Sequence, residues 1–433
     1  MDIKTVENNI VKDKYYVLDH PSGLTIYVYP KEGYQSTYAI IGTKYGSVNT
    51  RFKVDDGEEI TVPDGIAHYL EHKLFESEDG DAFARYAKTG ASANAYTSFE
   101  KTCYLFSCTD NFEESLEILL DFVQSPYFTA ETVAKEQGII GQEIKMYDDS
   151  PSWRVMFNTL LGMYHKHPVR IDIAGTVESI AEITAEKLYE CYNSFYNLNN
   201  MVLCVAGNAT VEQILSVADR MLKPNKKQKI ENFFEDEPYE VAQKYVEQKF
   251  PVTLPLFNLG FKENVGDNAD TSEQLAYTDI LLTILASSSS KLYCRLMDEG
   301  LINETFSFEY TEGPHYAAVM FGGESRNPKK VAEIIKEEIR ELKKNGINEK
   351  DFELAKRSVY GNAISGFNSN ENIANILVDM HFNGRELFGY VDAIANAKAE
   401  DIEKRLTEIL DPDNCTLSVV LGEESENSTE TAD

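Results

Sequence analysis

The chain has 433 residues, 42% of them apolar and 26% charged, and a formal charge of −31, which fits two domains of about 200 residues rather than one core. That acidic field excludes nucleic acid as a ligand, and no apolar run reaches the roughly 18 residues of a membrane-spanning helix. The opening Met-Asp-Ile-Lys-Thr-Val-Glu-Asn-Asn-Ile lacks the apolar segment of a secretory signal, so a cytoplasmic protein with no membrane partner is expected.

Leu24 to Tyr29 and Ser36 to Tyr45 are rich in Tyr, Ile and Val and read as strands. Pro63 and Asp64 open a helical stretch from about Gly65 to Glu76. A short helix is expected over Asp79 to Lys88, ended by Gly90, followed by a strand pair, Ala93 to Ser98 and Thr102 to Cys108. Asn111 to Val123 is amphipathic, with Phe112, Leu116, Leu119, Leu120 and Val123 on one face. Thr129 caps a long helix that runs to about Tyr147. Met201 to Val205 is a short strand, and a helix begins near Thr210. Residues 223–246 pass from basic to acidic and read as a linker, with Phe233, Phe234 and Tyr239 able to pin it. The acidic tail 423–433 is expected to be disordered. Cys103, Cys108, Cys191, Cys204, Cys294 and Cys415 show no disulfide or zinc-ribbon spacing, and free thiols are expected.

A segment repeats. Ala95-Tyr96-Thr97, a strand ending near Phe106 and the Asn111 to Val123 helix form one copy. Glu309-Tyr310-Thr311, a strand ending near Phe321 and a helix over Asn327 to Leu342 form the other, 214 residues further on. Each is followed by a turn and a second helix, which predicts two α+β domains of the same fold.

The first helix carries His68-Tyr69-Leu70-Glu71-His72. Histidines at i and i+4 lie one turn apart on one face, so both imidazoles can reach one ion. Glu71 lies beside the same point and is placed to take a proton from water rather than to bind metal, the inverted His-x-x-Glu-His arrangement. Imidazoles with a carboxylate suit Zn²⁺, which needs a third protein ligand and an open position. Glu136 and Glu143 are seven residues apart on one face of the long helix. One can bind metal while the other supports a histidine or orients water. Ile139, Ile140 and Ile144 predict that this helix is largely buried.

Taken with Gly90-Ala91-Ser92-Ala93-Asn94-Ala95-Tyr96-Thr97, His167-Pro168 and Ala206-Gly207, these motifs resemble the pitrilysin/insulinase (inverzincin) family of zinc peptidases, in particular its bacterial processing-peptidase-like members. The resemblance spans nearly the whole chain. It implies an α+β fold of two homologous domains, each a mostly antiparallel sheet packed with helices: 1–222 with the zinc site, 247–422 without one, joined by the linker. It makes His68, His72 and Glu143 the ligands of one Zn²⁺ per chain, Glu71 the base, and Glu136 a catalytic support to the ligands. Ala93, Asn94, Ala95 and Tyr96 would form the edge strand that pairs with an extended peptide substrate.

The activity so implied is that of a zinc endopeptidase working on extended peptides or unfolded segments in a closed chamber. Active relatives often carry an Arg and a Tyr around a Gly-Leu turn in the second half. Here Leu296 or Met297 and Asn303 fall at those places, with Arg295 and Tyr310 nearby but out of register. A heterodimer with a related chain that supplies both groups is therefore expected, with a homodimer as the alternative. The competing function is that of a non-catalytic metal-binding or scaffold subunit.

Overall fold

The run Thr37–Thr43 is buried along its whole length, as a central strand covered on both faces must be. It lies inside a seven-stranded sheet ordered Ile3–Asn8, Asp13–Asp19, Thr25–Pro30, Met201–Gly207, Thr37–Thr43, Thr102–Cys108 and Ser92–Thr97. The structure, a computed structural model, describes residues 3–78, 80–263, 265–266 and 270–422. The expected tail at 423–433 and the expected start of a helix at Asp79 lie outside the described residues.

The chain forms two compact units, one of residues 1–144, 172–233 and 364–388, the other of 145–171, 234–363 and 389–433. In the first, the metal-motif helix Ile66–Leu74 runs beside the edge strand Ser92–Thr97. The short helix is Ala82–Thr89, capped by Asp81, and the amphipathic one is Phe112–Phe122. Ala130–Asp148 is the long helix, and the Thr129 hydroxyl accepts from the Thr132 amide at its start. The two N-terminal strands were not foreseen.

The second unit holds a five-stranded sheet, Tyr245–Lys249, Cys415–Leu421, Leu256–Glu263, Tyr316–Glu324 and Ser307–Gly313. Its neighbours pair parallel, antiparallel, antiparallel and antiparallel in that order. The last five strands of the first sheet pair in the same sequence of senses. The α+β repeat is therefore present as topology. The Tyr-Thr match that announced it is out of register with the fold. Tyr96 shares a face with Gly42, which abuts Val378 and Phe382 of the helix Asn370–Phe382. Tyr310 lies on the other face of its own sheet, away from the corresponding helix Pro151–Met163, which packs beneath Gly260. An odd-numbered slip turns every side chain to the opposite face.

Those two helices also show why the units are not the contiguous stretches expected from chain order. Helix 370–382, from the far end of the sequence, covers the first unit's strands Met201–Gly207 and Thr37–Thr43. Helix 151–163, from the near end, covers strands of the second unit. The expected linker is tied down within each unit. Its strand Ile230–Asn232 pairs with Arg51–Val54. Further along, Phe234 stacks on His167 at 5.0 Å, and the Glu237 carboxylate accepts from the backbone N–H groups of His165, Lys166 and His167 at 2.8–2.9 Å. All six cysteines are free thiols, and Cys294 alone is exposed. No helix of the described residues is long and apolar enough to cross a membrane.

Candidate active site

The helix Ile66–Leu74 starts at Gly65, whose φ of 87° favours glycine, and whose added Cβ would lie 2.4 Å from the Ala174 carbonyl oxygen. Ser179 donates to the Asp64 carbonyl at 2.9 Å, so the entry to the helix is fixed from outside it. His68 and His72 then project from one face with ring centroids 4.6 Å apart.

The long helix brings both carboxylates to them, in different roles. His72 Nδ1 meets Glu136 Oε1 at 3.0 Å, which leaves its Nε2 pointing at Glu143 Oε2, 3.4 Å away. His68 Nε2 is 3.7 Å from Glu143 Oε1. Two ligand atoms about 2.1 Å from a tetrahedral ion are about 3.4 Å apart, so these spacings suit Zn²⁺. The ligating atoms of His68, His72 and Glu143 all lie within 4.8 Å of one another, and no second grouping of that kind occurs among the described residues. The helix is not largely buried as expected: Val133, Glu136, Ile140 and Ile144 form one buried stripe, and Ile139 is 48% exposed on the outer face.

The electrostatics follow from this crowding. Burial, then the neighbouring His72, pull His68 down to about 4. Burial also lowers His72, but its hydrogen bonds to Glu136 and Glu143 and the charge of Glu71 outweigh it and hold the imidazole up at about 10. The two histidines therefore differ in sense, and a divalent cation would compete with the proton on His72. Glu136 is held below the usual carboxylate range by its bond to His72. Burial raises Glu71, against the influence of His72 and a hydrogen bond from Thr97. That bond, Thr97 Oγ1 to Glu71 Oε2 at 2.9 Å, was not anticipated. No local sequence signal could show it, because it joins a helix to a strand.

Ser92–Thr97 is the last strand of its sheet and pairs on one side only. At the hairpin Ser98 N–H donates to the Lys101 carbonyl at 2.8 Å, and Thr97 sits opposite Thr102. Alternation of antiparallel pairs then turns the backbone groups of Ala93, Ala95 and Thr97 to the open edge, and those of Asn94 and Tyr96 inward. The Asn94 side chain accepts from the Ala95 amide at 2.9 Å, as an outward N–H permits. Of the four expected edge residues, Ala93 thus turns its N–H and carbonyl to the open edge, and Ala95 its carbonyl, its N–H being held by the Asn94 side chain. The Tyr96 hydroxyl is turned away and donates to Asn375 Oδ1 at 2.9 Å.

In the second unit, Leu296 is fully buried and Met297 is 37% exposed. Asn303 donates to Glu324 at 2.7 Å and accepts from the Thr305 amide and hydroxyl. Arg295 lies at the surface against Glu299 and Glu337. The Tyr310 hydroxyl is held among Arg405, Glu263 and Asp270.

Two α+β units of one topology, one of them carrying an inverted His-x-x-Glu-His helix beside an acidic helix, define a class of metallopeptidase-like proteins. The family described as "Insulinase (Peptidase family M16)" matches residues 51–177, and the one described as "Peptidase M16 inactive domain" matches 182–359. A Bacillus subtilis (strain 168) protein named as the uncharacterized zinc protease YmfH is 42% identical over 97% of this chain and 99% of its own length. An uncharacterized zinc protease of Rickettsia felis is 26% identical over 95% of this chain and 98% of its own. The crystal structure of a putative M16-like peptidase from Alicyclobacillus acidocaldarius superposes with a TM-score of 0.91 at 36% identity, covering 98% of this chain and 99% of that one. The chain belongs to the insulinase family, peptidase family M16.

Proposed function

We propose that this chain is a zinc-dependent endopeptidase for extended or unfolded peptide segments. The observation that carries the proposal is the placement of Glu71 beside the His68, His72 and Glu143 cluster and within 2.9 Å of the end of an open sheet edge. His68, His72 and Glu143 would hold one Zn²⁺ per chain. Bound there, the ion would polarise the scissile carbonyl and make water more acidic. Glu71 would take the proton of the attacking water and pass it to the departing amine. Its raised pKa moves it towards the range where a carboxylate can do both. Glu136 would hold the His72 ring through Nδ1, fixing which nitrogen faces the metal.

Ala93 and Ala95 would align the substrate by adding it as a strand, a contact that reads extension more than side chains. A chamber around the site would be completed by a second, related chain, because the second unit lacks the donors found in active relatives. A scaffold subunit would have no use for a buried base, so the intact Glu71 favours catalysis. The test is zinc content together with hydrolysis of an unstructured peptide, for the unmutated chain and for Glu71→Gln, each with its native partner. The expected result is equal zinc in both and a loss of turnover of at least a hundredfold in the variant. Zinc-loaded protein with no hydrolysis in either form would leave the scaffold function.

A further inference from the structure

The edge strand and the base touch at one atom pair, and the chemistry of that contact is directional. Thr97 Oγ1 lies 2.9 Å from Glu71 Oε2. Its neighbour across the hairpin, Thr102, has one hydroxyl proton, and that proton goes to the Tyr45 carbonyl at 2.9 Å. The 3.5 Å separation between the two threonine hydroxyls is too long to compete for it. Thr97 therefore keeps its own proton for the carboxylate. Being β-branched, Thr97 has few χ1 choices, and its backbone is clamped by the antiparallel pair with the Thr102–Cys108 strand.

Glu71 is 8% exposed, so bulk solvent has little access to the oxygen that Thr97 holds. With Oε2 occupied, Oε1 is the oxygen left to take a proton. Thr97 is also the last outward-facing backbone position of the edge, in line with Ala93 and Ala95. The opposite face of the same strand is anchored by Tyr96, which donates to Asn375, while Lys101 beyond the turn pairs with Asp379. Strand position and base orientation are thus mechanically joined.

We propose that Thr97 is a positioning residue, through which the strand that receives the substrate sets the orientation of the Glu71 carboxylate. The proposal rests on the peptidase function above. Thr97→Val keeps the branched shape and removes the hydroxyl. Thr97→Ser keeps the hydroxyl. Kinetics on an internally quenched extended peptide, with the native partner present, should show kcat lowered about 10- to 100-fold in the Val variant, with KM within about twofold. The Ser variant should return to within about fivefold of the unmutated chain. Zinc content should be equal in all three.

A second readout does not need turnover. Crystal structures of the two variants should show Glu71 in more than one rotamer with Val and in a single rotamer with Ser. An unchanged kcat in the Val variant, a loss that Ser fails to restore, or a rise in KM alone would overturn the proposal. So would a single, unaltered Glu71 rotamer in the Val structure. If no form hydrolyses peptide, the peptidase function fails, and the Glu71 rotamer still decides the role of Thr97.

Discussion

Glu136 and Glu143 are the same residue type on one helix, and only their surroundings separate them. Glu136 is buried and bonds the Nδ1 of a single histidine, whereas Glu143 faces the Nε2 atoms of both. Glu143→Gln should therefore abolish stoichiometric zinc, since it replaces a charged ligand with a neutral one. Glu136→Gln should weaken zinc by about 10- to 100-fold, as changes to groups that orient ligands do. Metal analysis after dialysis against graded chelator distinguishes the two, and the reverse order would exchange their roles. The His68 to His72 motif was legible in the sequence because a helix fixes i and i+4 by itself. The order of the two glutamates followed there only from family resemblance, because seven residues make both point the same way. Thr97 lies in the motif that carries the resemblance, but its bond to Glu71 had no signal there, since the two are 26 residues apart across a helix-to-strand gap.

Among the elements, those with a strong local period were legible: Thr102–Cys108 starts and ends where its pattern does, and the amphipathic helix differs by one residue at each end. What stayed hidden was the exchange of helices 151–163 and 370–382 between halves, which no local period encodes. The segment read as a linker illustrates the same limit. Its acidic composition looks solvated, yet Glu237 is half-buried and bonds Lys262 at 2.7 Å and three backbone donors. Although burial opposes it, these partners hold Glu237 down at about 2. Burial lowers Lys262 in turn, against its hydrogen bond to Glu237. A depressed carboxylate stabilises the fold above its unfolded value near 4.5 and loses that contribution as pH falls towards 2. Glu237→Gln should therefore lower the urea midpoint at pH 7 and flatten its fall between pH 5 and pH 3. A variant whose acid dependence matches that of the unmutated chain would show that the pair contributes little.

At the scale of the whole molecule, the second unit bears on whether one kind of chain suffices for a complete site. The second unit has no free donor at the expected places. Leu296 belongs to the core, Met297 has no N–H or O–H on its side chain, and both ends of the Asn303 amide are engaged, the nitrogen by Glu324 at the end of the strand Tyr316–Glu324 and the oxygen by Thr305. Tyr310 has a hydroxyl, but turning it out would break bonds to two buried carboxylates and Arg405, at about 1–3 kcal/mol for each charged partner left short. Arg295 differs. Its partners Glu299 and Glu337 are solvated, and such pairs are weak and screened by salt, so its guanidinium is cheaply freed. A pair of identical chains would therefore have to draw on Arg295, whereas a pair of different chains would not. The expected outcome is weak hydrolysis by the purified chain alone and at least a tenfold rise in kcat when a candidate related chain is added. The peptide should extend beyond a strand of about 5–6 residues, so that it can pair along the open edge. Arg295→Ala should leave the mixed pair unchanged. Full activity of the lone chain that Arg295→Ala then removes would instead establish the homodimer, with Arg295 as the donor it supplies.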